Sequence, residues 1–80
     1  MKGLRIYIDL RRPDPWCRGA IFYTRRAGGP YYRWQYEELS GQWLCSRMHP
    51  CDLTIPDLTS APWNRIPAGL KNSLDGHYVD

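Results

Sequence analysis

Long hydrophobic runs are missing from this chain of 80 residues. The apolar stretches, such as Ala20 to Tyr23, are far shorter than the roughly 20 residues that a membrane-spanning helix needs. The first residues, Met1 to Arg5, lead into an alternating segment and not into the continuous apolar core of a secretory signal. We therefore expect no membrane segment and a cytoplasmic location.

Lysine and phenylalanine are scarce as well. Lysine supplies only two of the eleven basic residues, and Phe22 is the only phenylalanine beside four tryptophans and six tyrosines. Residues 1–48 carry a net charge of +5, whereas residues 49–80 carry −2. Arginine binds carboxylates and phosphates through a planar fork and stacks on aromatic rings. Together with amphipathic rings, which are common at interfaces, this composition indicates a binding surface for an anionic partner.

Cysteine is too sparse for a disulfide framework, because the chain has only three, Cys17, Cys45 and Cys51. With His49 they make the ligand set of a Cys3His zinc site. No two cysteines are closer than six positions, however, so the short knuckle of a structural zinc site is absent. We interpret them as free thiols beside a loop histidine, keep zinc as the weaker alternative, and predict no cofactor.

A catalytic constellation is also lacking. A nucleophile needs a base within hydrogen-bond reach and a third group that orients the base. His49 and Asp52 lie close to Cys51, but in a segment bounded by prolines that is typical of a solvated turn. Gly28-Gly29-Pro30 lacks the helix and lysine that follow a phosphate-binding loop. We predict that the protein is not an enzyme.

What the chain does contain is a series of alternating segments. A period of two predicts strands with one buried and one exposed face, and aromatic and β-branched residues favour them. Short connections between such strands imply an antiparallel meander, since parallel neighbours need long crossovers. The predicted strands are Leu4 to Leu10, Cys17 to Arg25, Tyr31 to Glu37 and Gln42 to Met48.

The remainder of the chain reads differently. Four prolines punctuate residues 49–67, which we predict to be a loop with one helical turn near Asp57 to Ser60. From Pro67 to Tyr78, Leu70 and Leu74 have helical spacing. The expected fold class is therefore α+β: a small antiparallel sheet meander of about four strands with a short C-terminal helix across one face. We expect residues 1–80 to form a single small domain, because the chain is too short for two.

Several segments of the sequence also carry a family resemblance: Gly29 to Tyr36, Gly41 to Trp43, Ser46 to His49, Trp63 to Pro67 and His77-Tyr78. In these segments the chain resembles a family of small cyanobacterial proteins of uncharacterised function. The resemblance covers residues 28–80. It implies a cytoplasmic protein of a photosynthetic bacterium and supplies no catalytic residues.

The third predicted strand decides how the binding surface is interpreted. Tyr32, Trp34 and Tyr36 share one of its faces and are either a stacking platform for bases or part of the core. Because a helix must bury one face of the sheet, we favour the core. The exposed row would then be Tyr31, Arg33 and Gln35.

Two functions follow for this aromatic and arginine-rich sheet surface. The first is a non-enzymatic regulatory or adaptor protein, such as an inhibitor, that binds a larger protein with an acidic surface. The alternative is an RNA or single-stranded nucleic-acid binding module. A pI near 8.9 and the acidic Glu37-Glu38 pair favour the protein partner. The candidate binding residues are Arg25, Arg26, Tyr31, Arg33, Trp34, Trp43 and Arg47.

Overall fold

A computed structural model describes residues 3–9, 21–49 and 58–78 of the protein. Within these ranges the strands form one antiparallel sheet in the order β4-β3-β2-β1-β5. The elements are β1 (Leu4–Asp9), β2 (Ile21–Arg26), β3 (Tyr32–Glu37), β4 (Gln42–Arg47), β5 (Leu58–Ser60), a 3₁₀ helix (Trp63–Arg65) and α1 (Ala68–His77).

The first four strands form the predicted meander, and the α+β fold with a short C-terminal helix is confirmed. Two of its hairpins depend on glycine. Gly28 has a φ of +79° in a turn in which the Gly29 amide donates to the Arg26 carbonyl, and Gly41 has a φ of +69° between β3 and β4. Only glycine adopts this left-handed backbone without strain, so these positions set the strand connections.

A fifth strand was not expected. Leu58–Ser60 pairs with β1, so the helical turn predicted near Asp57 to Ser60 is wrong for these residues. The reason is that one side of β1 bonds to β2, and its other side needs partners for the buried Ile8 backbone. The Ala61 amide still donates to the Ile6 carbonyl at 2.8 Å, and Pro62 then precedes the 3₁₀ helix. Leu10, the predicted start of β2 at residues 17–20 and residues 50–57 lie outside the described residues.

The core lies between α1 and one face of the sheet, which we call the helix face. Leu70 and Leu74, the pair whose spacing predicted the helix, are both completely buried there. The other buried apolar residues of this core are Ile6, Ile8, Phe22, Trp34, Ala61, Ile66 and Tyr78. Burying such side chains supplies most of the stability of a small domain.

A chain of polar groups crosses this core. The Trp34 indole Nε1 donates to Thr24 Oγ1 at 2.9 Å, and Thr24 Oγ1 shares a hydrogen bond of 2.7 Å with the Tyr78 hydroxyl. Thr24 is fully buried, so its hydroxyl satisfies two buried polar partners at once. This link joins β2, β3 and the end of α1.

Candidate binding surface

The strand register determines which side chains share the second face of the sheet, which we call the open face. Directly paired residues point to the same side, and Arg5 lies opposite Arg25, while Tyr7 lies opposite Tyr23. Tyr23 in turn lies opposite Arg33. The helix α1 packs on the other face, so these arginine and tyrosine side chains occupy a surface that α1 leaves uncovered.

The open face is basic and aromatic at one end. Arg25 stacks on Tyr31 with its guanidinium carbon 5.0 Å from the ring centroid, and its Nη1 donates to the Tyr31 hydroxyl at 3.3 Å. The Tyr31 ring also meets Tyr7 at 6.3 Å between centroids. These contacts hold Arg25 and both rings in defined positions, which lowers the conformational entropy that binding would cost.

The arginine pair at this end carries unfavourable electrostatics. Like charges directly opposite each other on neighbouring strands are destabilising, and Arg5 and Arg25 have that arrangement. Within residues 3–9, 21–49 and 58–78, neither guanidinium forms an ion pair. An anion bound across the pair would remove this repulsion.

The opposite end of the open face mixes aliphatic and polar side chains. Ile21 lies opposite Gln35, and Gln35 lies opposite Leu44, which is 46 % exposed. On the far edge, Leu58 is half-buried opposite Asp9, which is itself buried. The face therefore changes from arginine through tyrosine to a row in which aliphatic side chains alternate with Asp9 and Gln35, a mixture that is typical of protein interfaces.

Three of the predicted binding residues lie on the open face. Arg25, Tyr31 and Arg33 are each half-buried. The Nε of Arg33 is buried and has no hydrogen-bond partner within the described part of the chain. The exposed row predicted for the third strand is thus present on this surface.

Three others lie on the helix face. Trp34 is only 3 % exposed, so its ring is part of the core and cannot contact a partner. Trp43 packs edge-on against Phe22 at 5.9 Å. Arg26 covers the Tyr78 ring at 5.6 Å, and its Nη2 donates to the Tyr78 carbonyl at 3.4 Å. We therefore remove these three residues from the binding set, because the helix had to bury one row of the sheet.

Arg47, the last predicted residue, is exposed near the end of β4. It lies opposite Tyr32, so it belongs to the helix face and points away from Arg25 and Arg33. It does not contribute to the same surface.

Sequence reasoning missed Arg5, Tyr7 and Tyr23. Each occupies an odd position of β1 or β2, in the same row pattern as Tyr31 and Arg33. The alternation of Leu4 to Leu10 already assigned the odd residues of β1 to the solvent side. What it could not supply was the register that places them beside the arginines of β2 and β3.

The proposed zinc ligands are only partly described. Cys45 and His49 are both exposed, and Cys17 and Cys51 lie outside the described residues. Among the residues that the structure covers, no group of three His, Cys, Asp or Glu side chains could hold a metal ion. Local burial raises the pKa of the Cys45 thiol although the residue is largely accessible, a shift opposite to that of an activated cysteine.

A cleft of about 390 Å³ borders the open face at the β1 edge. It is lined by Arg5 and Tyr7 of the open face together with Ala61 and Trp63. Trp63 is 42 % exposed, and the Lys71 ammonium lies 5.5 Å from its ring centroid. The cleft extends the arginine and tyrosine surface around the sheet edge to an exposed tryptophan.

No protein-family model, curated protein or solved structure matches this chain. The resemblance to a cyanobacterial family stays a prediction. Over the described ranges no helix has the length and apolar character needed to cross a bilayer.

Proposed function

We propose that this protein is a small, non-enzymatic regulatory or adaptor protein that binds a larger protein with an acidic surface through the open face. The observation that carries the proposal is the arginine pair, Arg5 opposite Arg25, beside the half-buried tyrosines 7, 23 and 31. Arginine and tyrosine are enriched among the residues that dominate binding energy. Carboxylates of a partner would bind the planar guanidinium groups and offset their mutual repulsion.

The end of the face that mixes aliphatic and polar side chains favours a protein over a nucleic acid. Ile21, Leu44 and Leu58 offer aliphatic surface that has no counterpart on a phosphate backbone. Glu37 lies at the same end, opposite Gln42, where it would repel phosphates. A protein that presents acidic groups beside a mixed apolar and polar area complements both ends of this surface.

The test compares arginines on the two sides of the sheet. Tagged wild-type protein and the variants Arg25→Ala, Arg33→Ala and Arg47→Ala are used for affinity capture from native lysate after nuclease treatment. We expect Arg25→Ala and Arg33→Ala each to weaken retention of the same partner by about tenfold, the effect of a moderate hot spot. Arg47→Ala, which points to the other side, serves as the control and should retain it.

Lysine variants separate geometry from charge. Lysine keeps the charge but loses the planar fork, so Arg25→Lys and Arg33→Lys should not restore binding to an acidic protein. A partner that is retained equally by all variants would show that the open face is not the interface.

Nucleic-acid binding is the second candidate, favoured by Tyr7 and Tyr23 lying directly opposite each other on central strands. Rings on an open sheet face stack with unpaired bases. A single-stranded RNA oligomer titrated at rising salt decides between the two. Tight binding that falls steeply with salt and survives Arg→Lys substitution would replace the protein-partner proposal.

A further inference from the structure

One edge of the described sheet is formed by β4. β4 is the last strand of the sheet order, and within the described residues no strand pairs with its outer side. Most of its residues are exposed, including Leu44 and Cys45. Such an edge presents backbone donors and acceptors to any strand that can align with it.

The backbone direction identifies which groups are free. The Met48 amide donates to the Tyr31 carbonyl of the neighbouring chain segment at 2.9 Å. In an antiparallel pair, bonding to one neighbour alternates along the strand. Leu44 and Ser46 therefore bond to β3, and the outward N–H and C=O groups are those of Trp43, Cys45 and Arg47.

This edge lacks the features that usually protect an edge strand. Natural edges carry proline, lysine or inward-pointing charges that prevent pairing. Between Gln42 and Arg47 there is no proline and no lysine, and Arg47 is the one charged residue. The middle of the strand is therefore open to pairing.

We propose that β4 pairs with β4 of a second copy, antiparallel, about a two-fold axis at Cys45. With the axis at Cys45, outward groups face outward groups: Cys45 lies opposite Cys45 of the second copy, and Trp43 lies opposite Arg47 of the second copy. All three outward residues are then paired, and each arginine faces an aromatic ring, which attracts it. The pairing joins the two sheets into one and the two open faces into a continuous surface.

Other symmetric registers are worse. An axis at Arg47 would place two arginines directly opposite each other, which is destabilising. An axis at Trp43 would leave Arg47 unpaired and bring the glycine turn at Gly41 against the partner strand. An axis at Leu44 would place Arg47 opposite Gly41, and an axis at Ser46 would place Trp43 opposite His49, so each would pair only two of the outward residues with another residue of β4. Cys45 is therefore the centre that pairs all three, and the match between Trp43 and Arg47 of the reversed strand favours a second copy as the occupant.

Amide hydrogen exchange on the wild-type protein tests the pairing residue by residue. At high protein concentration, the Trp43, Cys45 and Arg47 amides should exchange at least about tenfold more slowly than after dilution. The Leu44 and Ser46 amides bond within the monomer and should stay protected at both concentrations, which makes them the internal control. Sedimentation equilibrium should show dimers over the same concentration range.

A pair of variants at the axis isolates the backbone bond. Cys45→Pro removes an outward amide that has no partner among the residues that the structure describes, so the fold should persist while dimers disappear. Cys45→Ser keeps the amide and should dimerise like the wild type. Circular dichroism checks that both variants are folded.

Cysteine crosslinking reports the register and does not depend on whether the Cys45→Pro variant folds. Opposite residues in a bonded antiparallel pair have Cα atoms about 5.5 Å apart, within disulfide reach. In the Cys17→Ser, Cys51→Ser background, an added oxidant that takes two electrons and two protons from the two thiols should give a reducible dimer through Cys45.

Three results would overturn the proposal. The first is sedimentation as a monomer at all concentrations. The second is rapid exchange of the three outward amides at all concentrations, which would mean that this edge is available to a strand from a different protein. The third is dimerisation of folded Cys45→Pro to the same extent as the wild type.

Discussion

The two faces of the sheet use similar residue types for opposite purposes. On the helix face, Arg26 covers the buried Tyr78 ring, and Tyr32 packs edge-on against His77 at 4.5 Å. One position away along each strand, Arg25 and Tyr31 stack on each other on the open face. Adjacent residues of the same type thus have different roles, because alternate side chains of a strand point to opposite sides.

The difference shows that a count of arginines and aromatic rings does not locate a binding surface. On the helix face, the aromatic rings pack around Trp34, and the Trp34 indole donates a hydrogen bond to Thr24. The open face keeps its arginines near half-buried tyrosines, with α1 on the opposite side. Substitutions made in matched pairs on the two faces test this distinction directly.

The largest difference in stability is expected between a leucine of the core and a leucine of the open face. Leu74 is completely buried under the sheet, so Leu74→Ala should lower the free energy of unfolding by about 2 to 5 kcal/mol and unfold much of the protein. Leu44→Ala, on the exposed open face, should change it by about 0.5 kcal/mol or less. Urea denaturation measures both, and equal losses would show that the open face is also part of the core.

A hydroxyl removed from the core should cost less than a leucine. Thr24→Val leaves the Trp34 N–H and the Tyr78 hydroxyl without their shared partner, and should cost about 1 to 3 kcal/mol. Thr59→Val is the control, because Thr59 is exposed on β5. Thermal denaturation compares them, and an unchanged melting temperature for Thr24→Val would mean that water replaces the hydroxyl.

The neighbouring arginines should separate stability from binding. Arg26→Ala removes the contact with the Tyr78 ring and the bond to its carbonyl, and should cost about 1 kcal/mol. Arg25→Ala should cost about 0.5 kcal/mol or less, since its stack on Tyr31 is partly solvated. Chemical denaturation measures the stability of both variants, and the capture experiment measures their binding. A larger loss of stability for Arg25→Ala than for Arg26→Ala would contradict the assignment of the two faces.

The smallest effect is confined to alkaline solution. Burial raises the pKa of Tyr78 above its ordinary value, with the Thr24 hydrogen bond opposing the shift. Above about pH 10 the unfolded chain loses the tyrosine proton that the folded protein keeps, so stability falls as pH rises. Tyr78→Phe should remove this loss of stability at high pH. Tyr23→Phe, on the open face, leaves Tyr78 in place and should show the same loss as the wild type. Unfolding curves between neutral and alkaline pH would show either outcome.

The local sequence pattern was sufficient to predict those elements whose own residues show a clear periodicity. The alternation in Leu4 to Leu10 predicted β1, and the spacing of Leu70 and Leu74 predicted α1. It failed for Leu58–Ser60, because three residues carry too little periodicity and become a strand only through the unpaired side of β1. Arg25, Tyr31 and Arg33 were found as candidate binding residues, but Arg5, Tyr7 and Tyr23 needed the register.

Composition and periodicity were enough to establish a small α+β protein rich in arginine and amphipathic rings, because turns, strand alternation and helical spacing are short-range properties of the chain. The tertiary structure decided which row of side chains α1 covers. That choice placed Trp34 in the core and Arg25 on the open face. It depends on strand register and helix docking between residues far apart in the chain, and a register shift by one residue would have exchanged the two faces.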